Sequence, residues 1–210
     1  MSEASFVTIA HRGESVYEEK KSVFYGIAAP VTCEEQALNL IAEAKARYPD
    51  ARHHVYAYLL RDRSIMRYSD DHEPQGTAGL PTLDAIRKGG IVDAALVVVR
   101  YFGGTLLGTG GLVRAYGRAA SDALADAGIV TMREFRTVYL DLTYNDHPRV
   151  QPILARLGVP IVDSAFGAGV TLTCRLHEED VPAFTRAIVE ATAARAVLRM
   201  GDLCFDYDRG

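Results

Sequence analysis

Residues 94–116 read Ala94-Ala95-Leu96-Val97-Val98-Val99-Arg100-Tyr101-Phe102-Gly103-Gly104-Thr105-Leu106-Leu107-Gly108-Thr109-Gly110-Gly111-Leu112-Val113-Arg114-Ala115-Tyr116. The first six form an unbroken apolar run, which predicts a strand buried on both faces. Five glycines follow between 103 and 111. One corner does not need so many, so the spacing predicts two or more positive φ angles, or a backbone that approaches something closely. A helix is predicted from about Leu112 to Ala127, with Ala115, Ala119, Asp122 and Ala123 aligned and Gly128 at its end.

Upstream, Thr32 to Pro49 reads as a helix. Thr32 is placed as its N-cap, Glu35 completes a capping box, and Ala37, Ile41, Ala44 and Tyr48 share a face. Val55–Leu60 and Ile65–Tyr68 read as a hairpin around the turn 61–64. A short helix is predicted from Pro81, with Leu83 and Ile86 inward and Gly89-Gly90 as its stop.

Downstream, Thr137–Tyr144 alternates, and Pro148–Leu157 is helical on Val150, Ile153, Leu154 and Leu157. Val159–Ala165 and Val170–Leu176 read as strands about the Gly167-Ala168-Gly169 turn. Asp180–Ala194 reads as a helix with Phe184, Ile188 and Ala191 inward, and Ala196–Tyr207 as a closing strand. The order βαββαβ is the ferredoxin-like arrangement, which keeps Cys174 and Cys204 apart by placing the first strand between the third and fourth. The expected class is α+β, with an N-terminal domain over 1–132 and a ferredoxin-like domain over 133–210.

With 49% hydrophobic residues in 210, the chain can bury an ordinary core. Residues up to 132 carry 14 Lys+Arg against 16 Asp+Glu, and the remainder 9 against 11, so neither half is basic. No apolar run reaches the roughly 18 residues of a membrane span, and the first residues lack a signal-peptide pattern. A cytoplasmic protein without membrane contact is expected. Three cysteines without a C-x-x-C predict reduced, packed thiols.

Two segments carry the chemistry. After Val99, a strand, a glycine turn and a helix start make an anion trap, with Arg100 and Arg114 as cations and Tyr101, Phe102 or Tyr116 as stacking rings. The other reading is a tight turn whose glycines serve packing. The segment is not a P-loop, and the third glycine of a dinucleotide fingerprint falls at Val113. The second segment, Ser69–Pro81, holds Asp70, Asp71, His72, Glu73, Gly76 and Thr77. Near His53 and His54, its carboxylates suit a metal-assisted enzyme. More often such carboxylates cap turn N–H groups or pair with nearby cations, here Arg63 and Arg67. Cys33 near a helix start is a weak nucleophile candidate with no triad around it. No cofactor is expected.

His53 to Tyr58, Ser69 to Pro81, and Arg100–Gly104 with Gly108–Tyr116 together resemble the YigZ/IMPACT family, and Lys20–Phe24 matches its early lysine-serine-aromatic element. The resemblance implies a first domain similar to domain 2 of a ribosomal small-subunit protein, and a second resembling a domain of elongation factor G. It departs from the family at His54-Val55, where asparagine-cysteine is frequent, and at His72, where glycine is common. It implies a non-enzymatic protein of translation or its regulation. RNA or a ribosome-associated partner would bind loops 69–81 and 100–116 through Arg100, Tyr101, Phe102, Gly103, Gly104, Gly108, Gly110, Gly111 and Arg114. Asp70, Asp71, Glu73, Gly76, Thr77 and His53 complete that candidate site. The rival is a phosphoryl-transfer or hydrolytic enzyme using 70–73, and a third reading is a protein-interaction module.

Overall fold

The computed structural model describes residues 5–62 and 65–207. The chain divides into two compact units, Phe6–Thr131 and Met132 onward with Ser5. Two of its strands are β1 (Ser5–Ile9) and β7 (Ile129–Leu142).

The first unit is built on an antiparallel sheet of β2 (Gly13–Glu19), β3 (Ser22–Pro30), β6 (Ala94–Tyr101), β4 (His53–Leu60) and β5 (Ile65–Ser69), in that order. The apolar run is β6, the central strand, and it is buried from Ala94 to Arg100. Its register alternates the two faces: Val97 and Val99 join a core with α1 (Glu34–Arg47), and Leu96 and Val98 join a core with α2 (Gly79–Lys88) and α3 (Gly108–Asp126). Phe24 and Tyr116 meet edge to face in the second of these, with centroids 5.1 Å apart. Burying each large side chain is worth roughly 1.5–3 kcal/mol.

Three boundaries differ from expectation. Cys33 is the N-cap of α1 and offers no side-chain bond; Gln36, not Glu35, reaches back to accept from the Thr32 N–H at 2.7 Å. Helix α2 begins two residues before Pro81, and α3 begins at Gly108, four residues before Leu112. Part of the predicted turn at 61–64 lies outside the described residues, at 63–64.

The second unit has α4 (His147–Leu157), β8 (Ile161–Phe166), β9 (Val170–His177), α5 (Val181–Thr192) and β10 (Val197–Asp206), with strand order β10-β7-β9-β8. This is the ferredoxin-like order, with the third and fourth strands separated by the first. Val138, Leu140, Leu142, Leu172 and Cys174 pack beneath Val150, Leu154, Phe184 and Ile188. Cys174 and Cys204 flank β7 on opposite sides, and all three cysteines are free. Leu157, expected inward, is exposed at the end of α4.

Asp146, before α4, accepts from the Arg195 guanidinium at 2.6 and 3.1 Å and from the Thr143 hydroxyl at 2.8 Å. These bonds, Arg195 foremost, hold its carboxyl down at about 2. The unfolded value is about 3.9. Its contribution is therefore present above about pH 4 and lost as pH falls toward 2. Urea midpoints measured across that window should fall steeply for the wild type and more shallowly for Asp146→Asn.

Candidate functional site

The strand register gathers both glycine segments at one end of the first sheet. Phe24 and His53 both lie opposite Arg100, Val23 lies opposite Tyr101, and Ser69 lies opposite Tyr56. The turn Lys20-Lys21, the start of β4, the segment 70–78 and the loop 102–107 therefore share that end.

Beneath them is a buried polar knot. Glu73 Oε1 accepts from Arg100 Nη1 at 2.6 Å and from the Tyr116 hydroxyl at 2.8 Å. Burial first, and then the Glu73 charge, hold the Tyr116 phenol far above its ordinary range, so it stays a donor. Ser22 Oγ accepts from the Gly103 N–H at 3.1 Å and lies 3.5 Å from Arg100 Nη2. Arg100 is only 6% exposed. It is an internal tie, which corrects its expected role as a phosphate-holding cation. Tyr116 is likewise withdrawn from stacking.

The acidic loop also turns inward. Asp70 Oδ1 accepts from the Ala78 and Gly79 N–H groups at 3.0 and 2.8 Å, and Oδ2 from Gly76 at 2.9 Å, so this carboxylate caps α2. Asp71 Oδ2 accepts from the His54 N–H at 2.6 Å. His53 Nδ1 faces the Asp71 carbonyl at 2.9 Å; a carbonyl only accepts, so this nitrogen carries the proton. The Thr77 hydroxyl donates to the Pro74 carbonyl at 2.6 Å. Among the described residues, no three His, Cys, Asp or Glu side chains converge as metal ligands. The lone pairs expected for a metal are directed at N–H groups and a guanidinium. Arg63 lies outside the described residues, and Arg67 is exposed and donates to the Met66 carbonyl. His72 has φ +69, the left-handed region where glycine sits without strain.

Two of the five loop glycines, Gly104 and Gly108, have φ +84 and +71. Gly103 serves close approach, because a Cβ there would lie 2.0 Å from the Lys21 carbonyl carbon. Gly110 and Gly111 lie inside α3. Leu107, the N-cap of α3, offers no side-chain acceptor, and no acidic residue occupies the first turn. The leading N–H groups of the helix thus keep their appetite for an anion. Arg114 sits in the second turn, not the first, yet its Nη1 folds back to 3.5 Å from a Cβ built at Gly110. It is exposed and forms no ion pair among the described residues.

The two aromatic candidates part company. The Tyr101 hydroxyl donates to Asp50 at 2.6 Å, and this bond, with burial, pushes its phenol up to about 12. Its ring packs with Tyr25 and Tyr48 on the α1 face. Phe102 is 54% exposed and Leu106 82%. Lys20 and Lys21, which the sequence reading left out of the site, are both exposed at φ +48 and +66. Glycine or asparagine ordinarily marks such a turn, so two lysines gave no signal.

Residues 20–124 match the model of the Impact N-terminal domain, and residues 140–195 match a domain of unknown function, DUF1949. The chain is 30% identical to the IMPACT family member YvyE of Bacillus subtilis, over 96% of this chain and 93% of that one. It is 34% identical to the IMPACT family member YigZ of Escherichia coli, over 83% and 87%. A solved structure described as that of a hypothetical protein superposes with a TM-score of 0.60 at 32% identity, covering 93% of this chain and 97% of that one. Among the described residues, no helix is long and apolar enough to cross a membrane.

Proposed function

The chain belongs to the IMPACT family, and from that membership we propose a non-enzymatic protein of translation or its regulation that binds RNA at the loop end of its first sheet. One observation supports this reading above the others. Asp70, Asp71 and Glu73 are all occupied by internal partners, while Lys20, Lys21, Arg114 and the Phe102 ring stay exposed near the uncapped start of α3. Phosphates would lie against the α3 N–H groups and Arg114, and a base would stack on Phe102. A ribosome-associated protein is the second reading, favoured by the exposed Leu106.

The test is fluorescence anisotropy with a labelled single-stranded oligouridylate at two salt concentrations. Phe102→Ala should weaken binding by about 1–3 kcal/mol, as expected for a lost stacking partner. Arg114→Ala should weaken it and reduce the salt slope by roughly 0.7 per lost phosphate contact. Both variants should melt within about 0.5 kcal/mol of the wild type, since both side chains are on the surface. Unchanged RNA affinity in both would remove RNA from this end and leave the protein partner.

A further inference from the structure

A second surface lies on the outer side of α2 and α3. Between the helices runs an open groove of about 340 Å3. Pro81 and Ala85 line it from α2, and Val113, Gly117 and Ser121 from α3, the last two small and one turn apart. Its rim carries Lys88, Arg114 and Arg118, and among the described residues no carboxylate lines it. The nearest acidic side chains are engaged, Asp84 with Arg87 and Asp122 with Arg118. Lys88 and Arg114 are exposed and have no ion pair among the described residues.

Gly117 is the informative position. Glycine weakens a helix interior relative to alanine. A Cβ there would meet only Pro81, at 4.0 Å, so the fold itself has room for a side chain. Internal packing therefore does not require the glycine. We infer that this groove receives an acidic helix of a partner protein. Gly117 and Ser121, one turn apart on α3, with Ala85 facing them from α2, leave a trough into which a third helix can settle at close range. Lys88 and Arg114, which lack an ion pair among the described residues, select carboxylates along its flanks. No aromatic side chain lines the trough, so a nucleic-acid strand would find nothing on which to stack. The groove shares Arg114 with the RNA reading, so its test is placed on Lys88 and Gly117, which that reading does not use.

The probe is a fluorescein-labelled amphipathic peptide of roughly 18 residues, about five helical turns. It carries alanine on one face and glutamate along both flanks. Anisotropy with the full chain at low salt should show saturable binding. Lys88→Ala and Gly117→Leu should each weaken it by about tenfold or more, a change of ~1.4 kcal/mol, while both variants keep a cooperative melt close to that of the wild type. Phe102→Ala should leave the peptide affinity unchanged while weakening oligouridylate, which separates the two surfaces. Equal peptide affinity in the wild type and both groove variants would overturn the inference. So would oligouridylate binding that is lost on Gly117→Leu, because the groove would then be a nucleic-acid track.

Discussion

Glu73→Ala should lower the stability of the first unit by about 3–5 kcal/mol, the range for removing one partner of a buried ion pair. The substitution strands the Arg100 guanidinium, which is sealed from water above Phe24, 5.5 Å from the ring centroid. It also leaves the Tyr116 hydroxyl without its acceptor. Among the described residues Arg100 Nε has no hydrogen-bond partner, so the guanidinium has little left to fall back on. Urea unfolding of Glu73→Ala beside Tyr116→Phe checks this. Tyr116→Phe removes one hydrogen bond and should cost only about 1–2 kcal/mol. If Glu73 instead faced an outside ligand, its loss would stay within about 0.5 kcal/mol, as for ordinary surface positions. A result that small would dissolve the internal tie and return Arg100 to the candidate ligand groups.

Gly103→Ala is expected to be the most damaging single-methyl change in the loop, at about 2–3 kcal/mol, near the upper end for overpacking. Its Cβ would sit 2.0 Å from the Lys21 carbonyl carbon and 2.2 Å from the Ser22 nitrogen. Both are backbone atoms, so no side chain can swing aside. The loop must lift from the β2–β3 turn, breaking the Gly103 N–H bond to Ser22 and moving Phe102. Gly104→Ala should cost less, about 1 kcal/mol, because its φ is +84 but the space around it is open. Gly110→Ala should be neutral or stabilising, since it lies in α3 with room around it. Thermal melts of the three variants test the order. A Gly103 variant as stable as Gly110→Ala would show that the loop does not rest on the turn.

The sequence made the central strand plain because β6 is apolar at every position that either core needs. The ferredoxin-like order was legible for a related reason. Val170, Leu172, Cys174 and Leu176 alternate cleanly, and Gly158 ends α4 in the left-handed region at φ +64. Where local chemistry and packing disagree, the reading failed. Gly108, Gly110 and Gly111 are poor helix formers, yet α3 extends through them because Leu112, Ala115 and Tyr116 anchor its first turns in the core. Burial was the hidden variable at the site. Arg100 and Glu73 are 27 residues apart, and their spacing says nothing of whether they face solvent or one another. The same charges suit a phosphate-binding cleft and a sealed ion pair. Only the register that brings Phe24, His53 and Arg100 side by side decides between them. The early start of β7 was hidden because Ile129-Val130-Thr131-Met132-Arg133-Glu134 carries no apolar–polar alternation, although these residues alternate between exposed and half-buried positions.

The Lys20-Lys21 turn sets thermal endurance against recognition. A left-handed conformation costs a residue with a Cβ about 1–2 kcal/mol, and here two consecutive lysines adopt it. A stability engineer would choose asparagine and glycine for this turn. That choice would relieve the strain and strip two cations from the edge of the proposed RNA surface. Variants selected for heat resistance alone should therefore drift toward a hardier protein with a blunted grip, and the conflict is confined to two adjacent residues.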